Sequence, residues 1–332
     1  MAEWTSTKVT PDTLFYTGST TKAFTAAVLS LLVDDNKKYP QVQWNTPVNQ
    51  LLRDDFVLSH EWDTNNITIE DILSHRTGMP RHEFAFGGNY DGHEATLRDI
   101  VRSLRYMQRS APPRTTYQYS NLMFIVASHL IETLTGDWIG NVFGEKIWEP
   151  LGMNSTYLSL KDAQESRSQL AKGYSYNSNH STYDQVPWKN KPEVSGAGGA
   201  ISNIKDYAKW VEALLRKTPG VLSPDGYSAI WTARTLTRPD DPFLKPTAYA
   251  LAWNTCVYHG VEIVWHDGGI DGFGTEIALI PSLEFAVVTQ ANTTYTSNYA
   301  GTALVYHLID NKLGVAPDKR FDWNQKYAIC HQ

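Results

Sequence analysis

Over the first two thirds of the chain, apolar positions recur at helical spacing. Phe24, Ala27, Val28, Leu31 and Leu32 fall on one face of a helix predicted over residues 20–34. In "NITIEDILSHRTG", Thr68 is an N-cap, Asp71 stands at the capping-box position and Gly78 is a C-terminal stop. The pattern recurs over 96–108 and over 121–135, where Gly136 ends it, and again from about 138 to 148, ahead of "PLGM". Residues 155–199 are polar, rich in Tyr, Ser and Asn, and read as loops with short strands. Ser202 then caps an amphipathic helix reaching Lys217.

After Tyr249 the period shortens. "YALAWNTCVY", "VEIVWH", "TEIALI" and "EFAVVTQ" are strand-like, separated by turn signals at His259-Gly260, Gly268 to Gly274 and Pro281-Ser282. Short turns between sequential strands predict an antiparallel meander, and a helix over 299–313 follows. The order is α+β, not repeating βαβ. It divides the chain into a sheet domain, 1–35 with 205–332, and a mostly helical domain, 36–204.

The 332 residues, 42% apolar, suffice for a sizeable core. Acids and bases are mixed, with a net charge of -6, so nothing builds the basic surface that nucleic acid or anionic lipid needs. Eleven Trp and 18 Tyr are expected mainly in packing, some of them along a cleft. Cys256 and Cys330 cannot make a disulfide framework or a Cys-rich metal site. The start "MAEWTSTKV" has no signal-peptide pattern, and "AAVLSLLV" and "LMFIVA" are too short to span a bilayer. The chain as given is therefore expected to be cytoplasmic. Sequons at Asn66, Asn154, Asn179 and Asn292 then read as chance matches, and the pairs Asp34-Asp35, Asp54-Asp55 and Asp240-Asp241 as solvated loops or helix ends.

Ser-x-x-Lys occurs twice, as Ser19/Lys22 and Ser202/Lys205. The motif is weak alone, since it arises on the order of once per chain of this length. At Ser19, however, i and i+3 share a helical face, so Lys22 can reach the hydroxyl. A serine hydroxyl needs a proton acceptor, and lysine serves only when neutral. Moving it from ~10.4 to ~7 takes roughly 4 kcal/mol of environment, and a tyrosine can share the proton. The chain has one Tyr-x-Asn, Tyr119-Ser120-Asn121, ahead of an apolar helix, and one His-x-Gly, in "WHDGGIDGFG" at a strand end.

Together and in this order the three elements resemble the penicillin-recognising serine hydrolases, specifically the class C β-lactamase-like branch of esterases, D-aminopeptidases, carboxypeptidases and acyltransferases. "TPDTLFYTGSTTKAFTAAVLSLLVDD", "ITIEDILSHRTGMPRHE", "YQYSNLMFIVASHLIETLTG", "EPLGMNST", "GAGGAISNIKDYAKW" and "WHDGGIDGFGTEIALIP" carry the likeness nearly end to end. It implies a β-lactamase/transpeptidase-like fold: an antiparallel sheet flanked by helices, plus a helical subdomain. It also implies Ser19 as acylated nucleophile, Lys22 as the holder of its proton, and Tyr119 as base, its phenolate favoured by the Lys22 ammonium. Asn121 would bind Lys22 and the substrate's acyl side. His266, Gly268 and Gly269 would line the substrate, with the N–H groups of Ser19 and Gly269 as oxyanion hole. No cofactor or metal is implied.

Three features depart from the family. His266-Asp267-Gly268 stands where β-lactamases carry Lys-Thr-Gly, which favours esters or neutral amides over β-lactams. Pro113 replaces a usual glycine before Tyr119. Ser19 comes early, so an N-terminal helix and two edge strands are expected to be missing. A targeting signal could be lost with them, and "FAVVTQ" would be left as an edge open to self-association. No Gly-x-Ser-x-Gly elbow exists, and His60-Glu61, His82-Glu83 and His93-Glu94 never complete a zincin motif. The expected activity is a serine hydrolase acting on a small ester or amide. The alternatives are an acyltransferase and a catalytically impaired binding or scaffold homologue.

Overall fold

In the computed structural model, residues 8–83, 87–237 and 247–329 are described. Helix α1 (Lys22–Asp34) is buried all round except at Leu31 and Asp34. The single apolar face predicted for it is therefore too narrow: the small residues Ala23, Thr25, Ala26 and Ser30 on its other faces let neighbouring elements pack on every side. Helices α2 (Ile69–Leu73) and α3 (Leu97–Ser103) both begin with complete capping boxes, Thr68 with Asp71 and Thr96 with Asp99. α2 stops at Ser74, well before Gly78; the backbone already turns at His75, with φ 54°. Gly78 serves the loop beyond, where its φ is +78° and a Cβ would lie 2.0 Å from the Ala111 carbonyl.

α4 (Asn121–Thr135) buries Leu122 through Ile131 and ends at Gly136, left-handed at φ 73°. The predicted helix after it is irregular, α-helical over Ile139–Phe143 and π-helical over Gly144–Trp148. α5 (Ile204–Arg216) takes Asn203 as its N-cap, which accepts from the Asp206 N–H. That corrects the assignment to Ser202, whose hydroxyl instead pairs with Thr156 at 2.8 Å. Helices Leu160–Glu165, Pro224–Trp231 and Trp323–Ile329 lacked a long enough apolar period to be foreseen.

The sheet is an antiparallel meander of β1 (Thr235–Leu236), β2 (Thr247–Tyr249), β3 (Asn254–Tyr258), β4 (Val261–Ile270), β5 (Phe273–Ile280) and β6 (Phe285–Ala291), in that spatial order. Alternation along the strands divides two cores. Val264, Ile277 and Leu279 face α1, α4 and α5, while Ile263, Ala278 and Ile280 face α6 (Thr296–Leu313) and Trp323. β6 is an outer strand; among the described residues nothing pairs with its free edge. The glycines after His266 are not a turn. β4 runs through them to Ile270, and the reversal falls at Asp271-Gly272, with Gly272 at φ +86°. Asp55 is not a solvated helix end: it accepts from Arg98 and Arg102 at 3.0 Å and pairs with His129 at 3.1 Å. Asp240-Asp241 and Cys330 lie outside the described residues.

Candidate active site

β4 outruns β3. Their pairing ends at Trp265–Asn254, and beyond it β4 packs against the Gly18–Thr21 3₁₀ turn that leads into α1. The turn is tied down by short polar residues. Thr17 N–H donates to Ala200 O, Thr20 Oγ1 donates to Thr17 O, Thr21 Oγ1 donates to Gly18 O, and Ala200 N–H donates to Thr21 Oγ1. Gly18 has φ +54°, and a Cβ there would lie 2.8 Å from Gly269 N. A Cβ on Gly268 would lie 2.1 Å from Thr17 O. Two backbones therefore touch where side chains have no room.

This turn leaves Ser19 half-buried with two partners. Lys22 Nζ is 3.0 Å from Ser19 Oγ, and Tyr119 Oη donates to Ser19 Oγ at 2.7 Å. Lys22 Nζ also donates to Asn121 Oδ1 at 2.7 Å and to Ala197 O. Ser19, Lys22, Tyr119 and Asn121 thus meet in one cluster, although about a hundred residues separate the first pair from the second. Tyr119 is positioned from the loop before α4, which hangs on the turn after α2: Gln118 N–H donates to His75 O, and Ser120 N–H donates to His75 Nδ1. Arg114 of the same loop pairs with buried Asp71 at 2.7 Å.

Burial, reinforced by the Arg81 charge, pushes the Lys22 ammonium well below its ordinary range. Burial also pushes the Tyr119 phenol well above its own; the Ser19 hydrogen bond opposes this and the Asp267 charge adds to it. Both groups are thereby driven toward their neutral forms, the reverse of the ammonium–phenolate pair implied by the resemblance. The hydrogen bonds accommodate that state. Tyr119 Oη–H donates to Ser19 Oγ, and Lys22 Nζ makes three contacts, with Ser19 Oγ, Asn121 Oδ1 and Ala197 O; a neutral amine keeps two of them as N–H bonds and turns its lone pair to the Ser19 hydroxyl proton.

His266 is 1% exposed and lies beneath the cluster, its Nε2 2.9 Å from Tyr249 Oη and its Nδ1 against Asp267 O. Burial lowers its pKa to about 4, so it is uncharged at neutrality. It offers the open site neither a charge nor a free nitrogen. Gly268 and Gly269 do stand beside Ser19, as a ledge of backbone.

Other residues join the cluster without a sequence signal of their own. The Ala197 carbonyl could not be singled out from "SGAGGA". Arg81 lies over the Tyr119 ring at 5.1 Å, and Glu83 accepts from both Arg81 Nε and Asn121 Nδ2 at 2.9 Å. In the sequence Glu83 was weighed only as half of an incomplete metal motif.

Fold and cluster together define the class: this chain belongs to the β-lactamase family, whose sequence profile, described as Beta-lactamase, matches residues 2–310. The chain is 83% identical over 327 residues to the unguisins hydrolase ungD' of Aspergillus campestris, covering 98% of this chain and 61% of that protein. It is 56% identical to the unguisins hydrolase ungD of Aspergillus violaceofuscus, covering 97% of this chain and 60% of the relative. The chain thus spans about three fifths of the length of these relatives. Among solved structures it resembles the octameric penicillin-binding protein homologue from Pyrococcus abyssi, with TM-score 0.80, 22% identity, and coverage of 93% of this chain and 68% of that one. It also resembles the D-amino acid amidase from Ochrobactrum anthropi SV3, with TM-score 0.70, 23% identity, and coverage of 93% and 94%. At that identity the two structures show the shared β-lactamase/transpeptidase-like α+β fold.

Proposed function

We propose that this chain is the catalytic part of a serine hydrolase that cleaves an ester or amide through an acyl-enzyme on Ser19. The observation that carries the reading is Ser19 Oγ held between Lys22 Nζ at 3.0 Å and Tyr119 Oη at 2.7 Å. Ser19 Oγ attacks the substrate carbonyl carbon while its proton passes to the neutral Lys22 amine. The oxyanion is received by the backbone N–H groups of Ser19 and Gly269; one such donor is typically worth roughly 3 kcal/mol. The tetrahedral adduct collapses, the bond to the leaving group breaks, and that group takes the Tyr119 phenol proton. The Lys22 ammonium then restores a proton to Tyr119, so the net transfer is from Ser19 to the leaving group. Water enters by the reverse sequence and releases the acid. Asn121 and Ala197 O hold Lys22 aimed at Ser19 throughout.

The site's charge supports neutral esters or amides over a substrate anchored by a carboxylate. His266 is uncharged at neutrality, and the Arg81 guanidinium is paired with Glu83. Because the relative named an unguisins hydrolase is 83% identical, unguisins are the substrates we assign to the protein. The test is mass spectrometry with a chromogenic ester and with unguisin. A stoichiometric burst, an acyl adduct on Ser19 and hydrolysed unguisin are expected; absence of any Ser19 adduct refutes the reading. Added alcohol in the same assay separates hydrolysis from acyl transfer by the product partition.

A further inference from the structure

The Gly269 N–H is set from behind the strand. Asn298, on α6, donates from Nδ2 to Gly268 O at 3.1 Å and from the same amide to Glu276 Oε1 at 3.1 Å. The nitrogen side of that peptide faces the other way, since a Cβ on Gly18 would come within 2.8 Å of Gly269 N. In a trans peptide the C=O and the N–H point in opposite directions. A grip on the Gly268 oxygen from α6 therefore aims the Gly269 N–H toward the Ser19 side. The amide cannot be turned over without loss, because the Gly268 carbonyl only accepts and Nδ2 is the only donor on the Asn298 side chain.

Glu276 completes the grip. It is 6% exposed, lies directly across β5 from Asp267 on β4, and fits closely against Gly301, where a Cβ would meet its Cγ at 2.9 Å. Burial, with the Asp267 charge beside it, holds its carboxyl well above the ordinary carboxylate range. Both Nδ2 hydrogens of Asn298 are thus committed to fixed, buried acceptors, and its rotation is locked.

We infer that Asn298 is a positioning residue for the acyl-transfer step: by holding the Gly268 carbonyl it orients the Gly269 N–H that receives the substrate oxyanion. This rests on the acyl-enzyme reading of Ser19. The experiment compares Asn298→Asp, isosteric but unable to donate, and Asn298→Ala with the unsubstituted chain. A third variant, Ile309→Ala, opens the core on the same helix, about three turns beyond Asn298. Each is first titrated at Ser19 with a fluorophosphonate, then measured for kcat and KM on a p-nitrophenyl ester. Affinity for phenylboronic acid, whose tetrahedral adduct occupies the oxyanion position, is measured alongside. Both Asn298 variants should lose about 10- to 100-fold in kcat and in boronate affinity, with KM little changed. Ile309→Ala should lower the melting temperature alone. If the unsubstituted chain labels at Ser19 and either folded Asn298 variant keeps kcat and boronate affinity within twofold, the inference is overturned and the acyl-enzyme reading stands. If the unsubstituted chain does not label, both fall.

Discussion

Replacing Gly268 by alanine tests the contact between the sheet and the turn that carries Ser19. The added Cβ would stand 2.1 Å from Thr17 O and 3.2 Å from Ser19 N. A carbon and a carbonyl oxygen approach to about 3.3 Å at closest, so roughly 1 Å must open between β4 and the turn. Neither wall is a flexible side chain. Thr17 is held to Ala200 through both its N–H and its hydroxyl, and β4 is laced to β5 through Gly268–Thr275. Such overpacking typically destabilises a fold by about 1–3 kcal/mol. A misplacement of about 1 Å at a reacting centre can cost about 100-fold in rate, close to 3 kcal/mol of barrier. Gly269→Ala is the comparison, because its Cβ would meet only Asn298 Oδ1, at an ordinary 3.6 Å. Stopped-flow burst kinetics with a p-nitrophenyl ester would measure acylation in both. Gly268→Ala should acylate about 100-fold slower than the parent and Gly269→Ala should lose much less. A Gly268→Ala protein that acylates within threefold of the parent, at unchanged melting temperature, refutes the idea that this contact sets the oxyanion geometry.

Lys22→Arg should be as inactive as Lys22→Ala, down by about 1,000-fold or more in acylation, because a guanidinium never becomes a neutral base; substantial activity in the arginine variant would show that a cation alone suffices. With Lys22 required neutral and its pKa lowered by burial, kcat/KM should hold through neutral and alkaline pH and fall as acid protonates the amine; a profile that rises toward acid contradicts the assignment. Tyr119→Phe should slow acylation of amides more than of activated esters, since a good leaving group needs little proton donation; equal losses across a leaving-group series would argue against the acid role. Because His266 is lowered from 6.5 to about 4 in the fold, the unfolded chain protonates first and stability falls as pH drops through that window, by about 3 kcal/mol at most; urea melts at neutral and acid pH should show this slope, and His266→Gln should reduce it. Asp71→Asn should cost about 1–3 kcal/mol by removing the buried carboxylate's charge-assisted bonds to Arg114 and Arg76, which keep Asn66 O and Glu70 as partners, read as a fall in the urea midpoint.

The α+β order, the β-lactamase-family membership and the cluster of short motifs were legible because each is a local signal. Thr68 with Asp71 forms a capping box from four consecutive residues, and Gly136 ends α4 because a left-handed residue is needed there. Ser19 and Lys22 meet through one turn of helix. Where the reading went astray, the deciding neighbour was remote in sequence. Asn203 displaced Ser202 as cap because the Ser202 hydroxyl was already engaged by Thr156, 46 residues away. The glycines after His266 stayed in strand because β5 pairs with them through Ile270–Phe273.

The charges in the site show the same division. The resemblance to the penicillin-recognising serine hydrolases implies an ammonium beside a phenolate. The folded chain encloses both groups so completely that each is driven toward neutrality, and it adds Ala197 O and Glu83 to the network, which carry no local signature. The chain's own sequence decided which functional groups exist and which of them a single helical turn must bring together, because those interactions act over a few residues. Only the tertiary structure decided their protonation, the orientation of the Gly268–Gly269 peptide and the burial of His266, because desolvation and backbone contact depend on which distant segments close over a group.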